Sequence, residues 1–277
     1  VAQNEQMIEF WNGPAGEAWA RNADDQDREL RDLGATALDA LAVAPGASVL
    51  DVGCGPGTTT VALAERVGAT GRVVGVDVSA PLLAMARHRA AGLANVSFVE
   101  ADAQTVTPPG SPFDAVFSRF GVMFFEDPEA AFANLHQATS PEGRLGFVCW
   151  QKPEANPWFL APMMAIAGLP DVDVPSPPGP EEPGPFAFAE PNRVRGILTA
   201  GGWRHIEVQA YEDEIVDDLD RRVAFTLRQG PAARALANAD DGVRAAASAR
   251  VRDALAQAAD GDLVHLSRAA WIVTART

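Results

Sequence analysis

The 277-residue sequence has one lysine, Lys152, one tyrosine, Tyr211, and two cysteines, Cys54 and Cys149. It has no lysine patch, and 37 acidic residues against 22 basic ones give a formal net charge of −15. A phosphate backbone would meet net repulsion, so no nucleic-acid partner is expected. The cysteines lack CxxC spacing, which excludes a readable zinc site or redox pair; no metal is expected, and a reducing cytosol fits. No apolar run reaches membrane-spanning length and no charged-then-apolar leader opens the chain, so no membrane partner and a cytoplasmic location are expected. Hydrophobic residues at 47% and charged residues at 21% exclude global disorder.

What is present falls into distinct textures. From Gln3 to about Leu41 the pattern is helical and amphipathic, with Trp11, Trp19 and a run of charges from Asp24 to Arg31. After Pro45-Gly46, short valine-rich runs alternate with Ala/Leu helical stretches. Strands are expected at 48–53, 73–78, 96–102, 113–120 and 144–150, the last entered through the turn Ser140-Pro141-Glu142-Gly143. Strands apolar on both faces, in a β-loop-α rhythm, predict a parallel sheet covered by helices. Residues 153–191 are crowded with prolines. A helix near Asn192–Ala200, a strand at 205–216, a helical stretch over roughly 220–260 and a closing strand at 267–276 complete the reading. The expected division is 1–45, an N-terminal helical segment covering the site; 46–150, the ligand-binding core; 151–191, a Pro-rich insert; and 192–277, the completion of the sheet.

The chemistry concentrates in VLDVGCGPGTTT (49–60). A strand runs into Gly53-x-Gly55-x-Gly57, and Thr58 opens a helix. Glycines let the backbone turn sharply and approach a ligand closely, and the helix N-terminus offers free N–H groups to a carboxylate or phosphate. The spacing is GxGxG, not the GxGxxG of the dinucleotide fingerprint. Asp51 lies two residues before the first glycine. Asp77 ends the next strand, where a carboxylate can accept from both hydroxyls of a ribose.

These segments resemble the class I S-adenosylmethionine-dependent methyltransferases. DVGCGPG (51–57) looks like the first motif, GVDVS (75–79) the second, and EADAQ (100–104) the adenine-edge motif. FDAVFSRFGVMFF (113–125) and LHQATSPEGRL (135–145) look like the later ones. More loosely the chain is similar to the ubiquinone/menaquinone-biosynthesis type of small-molecule methyltransferase. The resemblance covers about Ala47 to Trp150.

It implies a Rossmann-like, seven-stranded doubly wound α/β sheet of order 3-2-1-4-5-7-6, its last strand antiparallel, with N-terminal helices and an inserted cap. It also implies S-adenosyl-L-methionine as cofactor, held at Asp51, Gly53, Gly55, Gly57, Thr58, Asp77, Val78, Asp102, Ala103, Ser118 and Arg119. Asp77 would bind the ribose and Asp102 with the Ala103 amide the adenine edge, while Ser118 and Arg119 would flank the methionine portion, largely through backbone. Arg119 could also pair with an acid elsewhere. Trp11, Asn12, Gly13 and Trp19 either fold over the cofactor or belong to an amphipathic helix whose tryptophans are core.

The expected activity is methyl transfer from S-adenosylmethionine to a small organic acceptor, on oxygen, carbon or nitrogen. No catalytic base is assigned: His88, His136, His205, His265 and Tyr211 all read as structural. No Asp/Asn-Pro-Pro-aromatic motif follows the fourth strand and no Pro-Cys dipeptide occurs, so the signatures of nucleic-acid methylation are missing. The rival classes are a nicotinamide dehydrogenase, a nucleic-acid methyltransferase, and a non-catalytic cofactor-binding or scaffold protein on the same fold. An apolar acceptor pocket is expected from Phe120, Met123, Phe124 and Trp150, with Trp158, Phe159, Met163, Met164, Phe186 and Phe188 on a lid at 153–191. Alternatively that segment packs as a fixed helix or mediates a homodimer.

Overall fold

In a computed structural model, residues 4–174 and 178–277 are described. The chain forms two compact units: Val1–Trp150 with Gly179–Tyr211 and Ala270–Thr277, and Gln151–Pro178 with Glu212–Ala269. The expected insert at 151–191 therefore divides, its first part belonging to the second unit and its last part to the first. Its central residues 175–177, like residues 1–3, lie outside the described ones.

The first unit opens with four helices, α1 (Glu5–Asn12), α2 (Pro14–Arg21), α3 (Ala23–Glu29) and α4 (Arg31–Leu41). The expected long amphipathic stretch is broken because Pro14 occupies the first turn of a new helix and Asn22 and Leu30 cap the next breaks. The alternating core follows: β1 (Ser48–Val52), α5 (Thr58–Val67), β2 (Arg72–Asp77), α6 (Ala80–Arg89), β3 (Val96–Glu100), β4 (Phe113–Arg119), a single 3₁₀ turn (Val122–Phe124), α7 (Pro128–Gln137) and β5 (Thr139–Trp150). After α8 (Pro157–Ile166) in the second unit come α9 (Pro191–Ala200) and β6 (Arg204–Asp218). The remainder is α10 (Leu219–Arg228), α11 (Gly230–Ala235), α12 (Asp241–Ala256), the two-residue β7 (Ala259–Asp260) and β8 (Leu263–Arg276). The single helical stretch expected at 220–260 is thus three helices, interrupted at Gln229-Gly230 and before Asp240, whose side chain caps α12 by accepting from the Val243 amide.

The strands run in the order β3-β2-β1-β4-β5-β8-β6, with β7 attached to the start of β8. Leaving out the two-residue β7, this is the expected seven-strand order, and β8 pairs antiparallel with β5. The first five strands are parallel. Val49, Leu50, Val116, Phe117, Leu145 and Phe147 are all buried, as a sheet covered on both faces requires; each such side chain contributes ~1.5–3 kcal/mol. The turn expected before the fifth strand lies inside β5 as a bulge. The partners jump from Phe113 with Thr139 to Ala115 with Arg144, and Glu142 takes φ 66°.

The second unit has its own core, in which Met163, Ile166, Ile215, Val251, Leu255 and Val264 are buried together. Its polar anchor is Asn156, fully buried. The amide nitrogen donates to the carbonyls of Gln151 and Ala269, and the amide oxygen accepts from the Ala269 N–H and Trp158 Nε1. Among the described residues no helix is long and apolar enough to cross a membrane.

Candidate active site

The site lies at the carboxyl ends of β1, β2, β3 and β4, in the first unit. Leaving β1, the chain takes positive φ at all three loop glycines: 62° at Gly53, 53° at Gly55 and 82° at Gly57. The three serve different needs. A Cβ at Gly53 would fall 2.7 Å from Gly121 Cα, and one at Gly57 would fall 2.8 Å from Ala86 Cβ, so these two let segments pack. A Cβ at Gly55 would meet nothing within 4 Å. Gly55 is therefore required for its conformation and leaves open space beside the backbone. Cys54 between them is buried, and burial pushes its thiol well above the usual range. It packs; it is not poised to react.

Three carboxylates follow the strand ends. Asp51 on β1 is completely buried. Its Oδ2 accepts from Thr59 Oγ1 at 2.7 Å and Thr60 Oγ1 at 2.6 Å, both on the first turn of α5, while Oδ1 has no partner. Burial pushes its pKa from the ordinary 3.8 up to about 6, against the lowering effect of the two hydroxyls and of Arg119. Asp77, ending β2, uses both oxygens on backbone amides: Oδ2 accepts from Gly55 N at 2.7 Å and Oδ1 from Ser79 N at 2.8 Å. Its pKa is raised by burial despite those donors. Asp77 thus fixes the glycine loop, a task its sequence position does not disclose, and each oxygen keeps a further lone pair. Asp102, after β3, accepts from Gln104 N through Oδ1, and its buried Oδ2 has no partner. The neighbouring Ala103 is buried, its carbonyl accepting from Asn134 Nδ2.

At the end of β4, Ser118 is buried and its Oγ accepts from Gly121 N. Arg119 pairs with an acid elsewhere: Nη2 donates to Asp27 Oδ1 at 2.6 Å. Asp27, from the charge run of α3, was not singled out by sequence. Its Oδ2 accepts from Arg89 Nη1 at 2.9 Å and from the Thr58 hydroxyl. Phe120 has φ 64°, uncommon for a non-glycine residue. Its ring stacks on Trp150 with centroids 4.1 Å apart and planes 18° from parallel. Met123 is buried, and its carbonyl accepts from Gly184 N.

The N-terminal segment docks onto the loop after Asp77. Asn12 Nδ2 donates to the Val78 carbonyl at 2.8 Å, Asn12 Oδ1 accepts from Ala80 N, and Ser79 Oγ donates to the Trp11 carbonyl. The Trp11 ring meets Trp19 and Phe124 edge-on, at 5.7 and 5.2 Å. Gly16 is obligatory here, since a Cβ would fall 1.8 Å from the Trp11 carbonyl oxygen. Both tryptophans are half-buried.

Other expected pocket residues are placed differently. Met163 is buried in the second unit's core, Met164 is 74% exposed, and Trp158 packs on that core. Phe188 packs against Phe132 and Phe147 of the first unit. His88, His205 and His265 are exposed, and His136 meets Trp203 edge-on.

S-adenosylmethionine fits this arrangement on two observations. Buried acceptor oxygens on Asp51 and Asp102 await donors, and Gly55 leaves the space that a side chain would take. Comparison with known proteins agrees. Residues 49–143 match the profile of a methyltransferase domain. Nocamycin O-methyltransferase of Saccharothrix syringae is 30% identical over 251 residues, 85% of this chain and 87% of that protein. Aklanonic acid methyltransferase of Streptomyces sp. (strain C5) is 33% identical over 150 residues, 50% of this chain and 67% of that protein. The fold is shared with phosphoethanolamine N-methyltransferase 2 of Haemonchus contortus, solved with S-adenosylhomocysteine (TM-score 0.58, 17% identity, 100% of this chain and 60% of that one). It is also shared with the [4+2]-cyclase SpnF (TM-score 0.52, 20% identity, 89% and 80%). The chain belongs to the S-adenosylmethionine-dependent methyltransferases. It is an enzyme of the small-molecule branch, with S-adenosylmethionine as methyl donor and a small organic acceptor.

Proposed function

We propose that the cofactor is held along the carboxyl ends of β1, β2 and β3 and that the acceptor is a small acid methylated on oxygen. The observation that carries the first half is the pair of buried, unpartnered carboxylate oxygens, Asp51 Oδ1 and Asp102 Oδ2. Asp102 with the Ala103 amide would take the adenine edge, Asp77 and the Val78 backbone the ribose, and the Gly53–Gly57 loop with Thr58 the amino-acid end. Asp51 supplies negative charge beneath that end. Ser118 and Arg119 would contribute mainly backbone, because the Arg119 guanidinium is already taken by Asp27. Trp11 and Trp19 would shield the site from water.

When bound, S-adenosylmethionine supplies an activated methyl group on a sulfonium leaving group. The chain's own task is alignment and dehydration of the nucleophile, for which proximity can supply ~7–11 kcal/mol. The stacked Phe120 and Trp150, with Met123, would form an apolar wall that keeps water from the acceptor. None of the four histidines lies in the loops after β1, β2, β3 or β4. An oxygen acid ionised at neutral pH needs no proton removed by the enzyme, whereas an alcohol does. The names of the two relatives, an O-methyltransferase and a methyltransferase of aklanonic acid, support that choice. The net charge of −15 supports a small acceptor over a nucleic acid, and two free, buried thiols support a cytosolic setting.

The test is labelled methyl transfer into a panel of carboxylic acids, enols, phenols, aliphatic alcohols and amines. Acidic oxygen acceptors should be the best substrates, with no rate gain above the acceptor's own pKa. Preference for alcohols or amines would refute the acidic-oxygen reading.

A further inference from the structure

A single carboxylate joins three elements beside the glycine loop. Asp27 Oδ1 accepts from Arg119 at the end of β4; Oδ2 accepts from Arg89 at the end of α6 and from Thr58 at the start of α5. Arg89 Nη1 also donates to the Pro56 carbonyl at 2.9 Å and to the Thr58 hydroxyl, and its Nη2 to Asp24 Oδ1 at 3.0 Å. The contacts of this pair therefore bracket Gly57, within the stretch whose backbone conformation leaves Gly55 open. The Asp27 side chain is 13% exposed and that of Arg119 12%.

The helix carrying Asp27 has little apolar anchorage of its own. α3 is seven residues long, reads ADDQDRE and buries only Ala23. Isolated helices shorter than about 12–15 residues are marginal in water. Asp27 and Asp24 tie this short helix to Arg89 and Arg119. Conversely, the loop carbonyl at Pro56 and the hydroxyl of Thr58 depend on Arg89, which Asp27 orients. The two acids and two arginines balance in charge, and loss of the Asp27 charge would leave two poorly exposed arginines without their shared partner.

We propose that Asp27 is a positioning residue for cofactor binding: through Arg89 and Thr58 it sets the shape of the Gly55–Gly57 segment, and through Arg119 the end of β4. This rests on the glycine loop being the cofactor site. Asp27 touches neither reactant in this scheme; it acts through the loop.

The test is titration calorimetry of the full chain with S-adenosylhomocysteine, for wild type, Asp27→Asn, Asp27→Glu, Arg89→Gln and the Asp27→Asn/Arg89→Gln pair, alongside steady-state kinetics. Asp27→Asn should weaken binding about tenfold, or about 1.4 kcal/mol. The KM for S-adenosylmethionine should rise by a similar factor and kcat fall by less. Asp27→Glu should recover part of the loss. The double variant should bind no more weakly than the worse single one, because both break one latch. Wild-type affinity in folded Asp27→Asn, or losses that add in the double variant, would overturn the proposal. Should Asp27→Asn not fold, Arg89→Gln decides alone: its side chain is 25% exposed, and unchanged affinity there is equally fatal. A wild-type chain that does not bind the ligand would refute the cofactor reading instead.

Discussion

Asp51 in the first unit and Asn156 in the second are both completely buried polar side chains, and they are treated in opposite ways. Asn156 has a partner for its oxygen and for its nitrogen, joining Gln151, Trp158 and Ala269. Asp51 has two hydroxyls on one oxygen and nothing on the other, and it holds a charge that burial disfavours. An unpaired buried polar group costs about 1–3 kcal/mol, a cost that is avoided at Asn156. Asp51 is left incomplete by the protein itself, on the strand that leads to the open glycine Gly55, and the proposed cofactor site makes use of it.

The largest effect that would break the contrast belongs to the loop. Gly55→Val should abolish cofactor binding, more than about a hundredfold, while circular dichroism shows the fold retained. The left-handed conformation costs about 1–2 kcal/mol, less than a domain's usual stability of about 5–15 kcal/mol. Gly53→Val should instead lose the fold, because its side chain meets the Gly121 backbone. Equal behaviour of the two variants would erase the distinction between the packed and the open glycine.

Asn156→Ala should lower stability by about 2 kcal/mol, read as a drop in the urea midpoint, since it takes the acceptor from the buried Ala269 amide and from Trp158 Nε1 and removes one of the two donors to the Ala269 carbonyl, which keeps the Gln151 amide. Asp51→Asn should do the reverse. An acid whose pKa rises from 3.8 to about 6 on folding is stabilising to the folded state when protonated, below pH 3.8. That contribution is lost as pH rises through about 6. The full difference corresponds to about 3 kcal/mol by linkage. Asparagine avoids the buried charge, so the variant should be more stable than wild type by about 1–3 kcal/mol at pH 7 and indistinguishable near pH 4. A destabilised Asp51→Asn at pH 7 would place Asp51 with Asn156, as a purely structural group.

The smallest expected effect is the pH dependence of binding. A cationic cofactor favours the ionised Asp51, so affinity for S-adenosylmethionine should rise from pH 5 to about 6.5 and then level off. The Asp51→Asn variant should bind more weakly, with a flat profile over that range. A flat wild-type profile would remove the proton linkage.

Much of this was legible in the sequence, and the limit is physical. Period, valine content and glycine spacing are local, and they pointed to the parallel strands, the loop and the acids at 51 and 77; Asp102 came only from the resemblance to the methyltransferases. What escaped depends on distance along the chain. Asp27 is one charge in a polar run until the fold brings in Arg89 and Arg119, 62 and 92 residues away. Asn12 reaches Val78 across 66 residues. Nothing in the pattern of prolines at 153–191 marks Gly179 as the point where the chain passes between units, or Met163 as a core residue of the second. Arg119 could also pair with an acid elsewhere, and the partner, Asp27, is visible only in the fold.

The measurement that bears most directly on the central claim is a crystal structure of the chain with S-adenosylhomocysteine. The adenine edge should lie within hydrogen-bond distance of Asp102 Oδ2, the amino-acid end over Gly55, and Asp51 Oδ1 should be satisfied by the ligand or by a water that the ligand holds. A ligand seated elsewhere, with both carboxylate oxygens still lacking a partner, would contradict it.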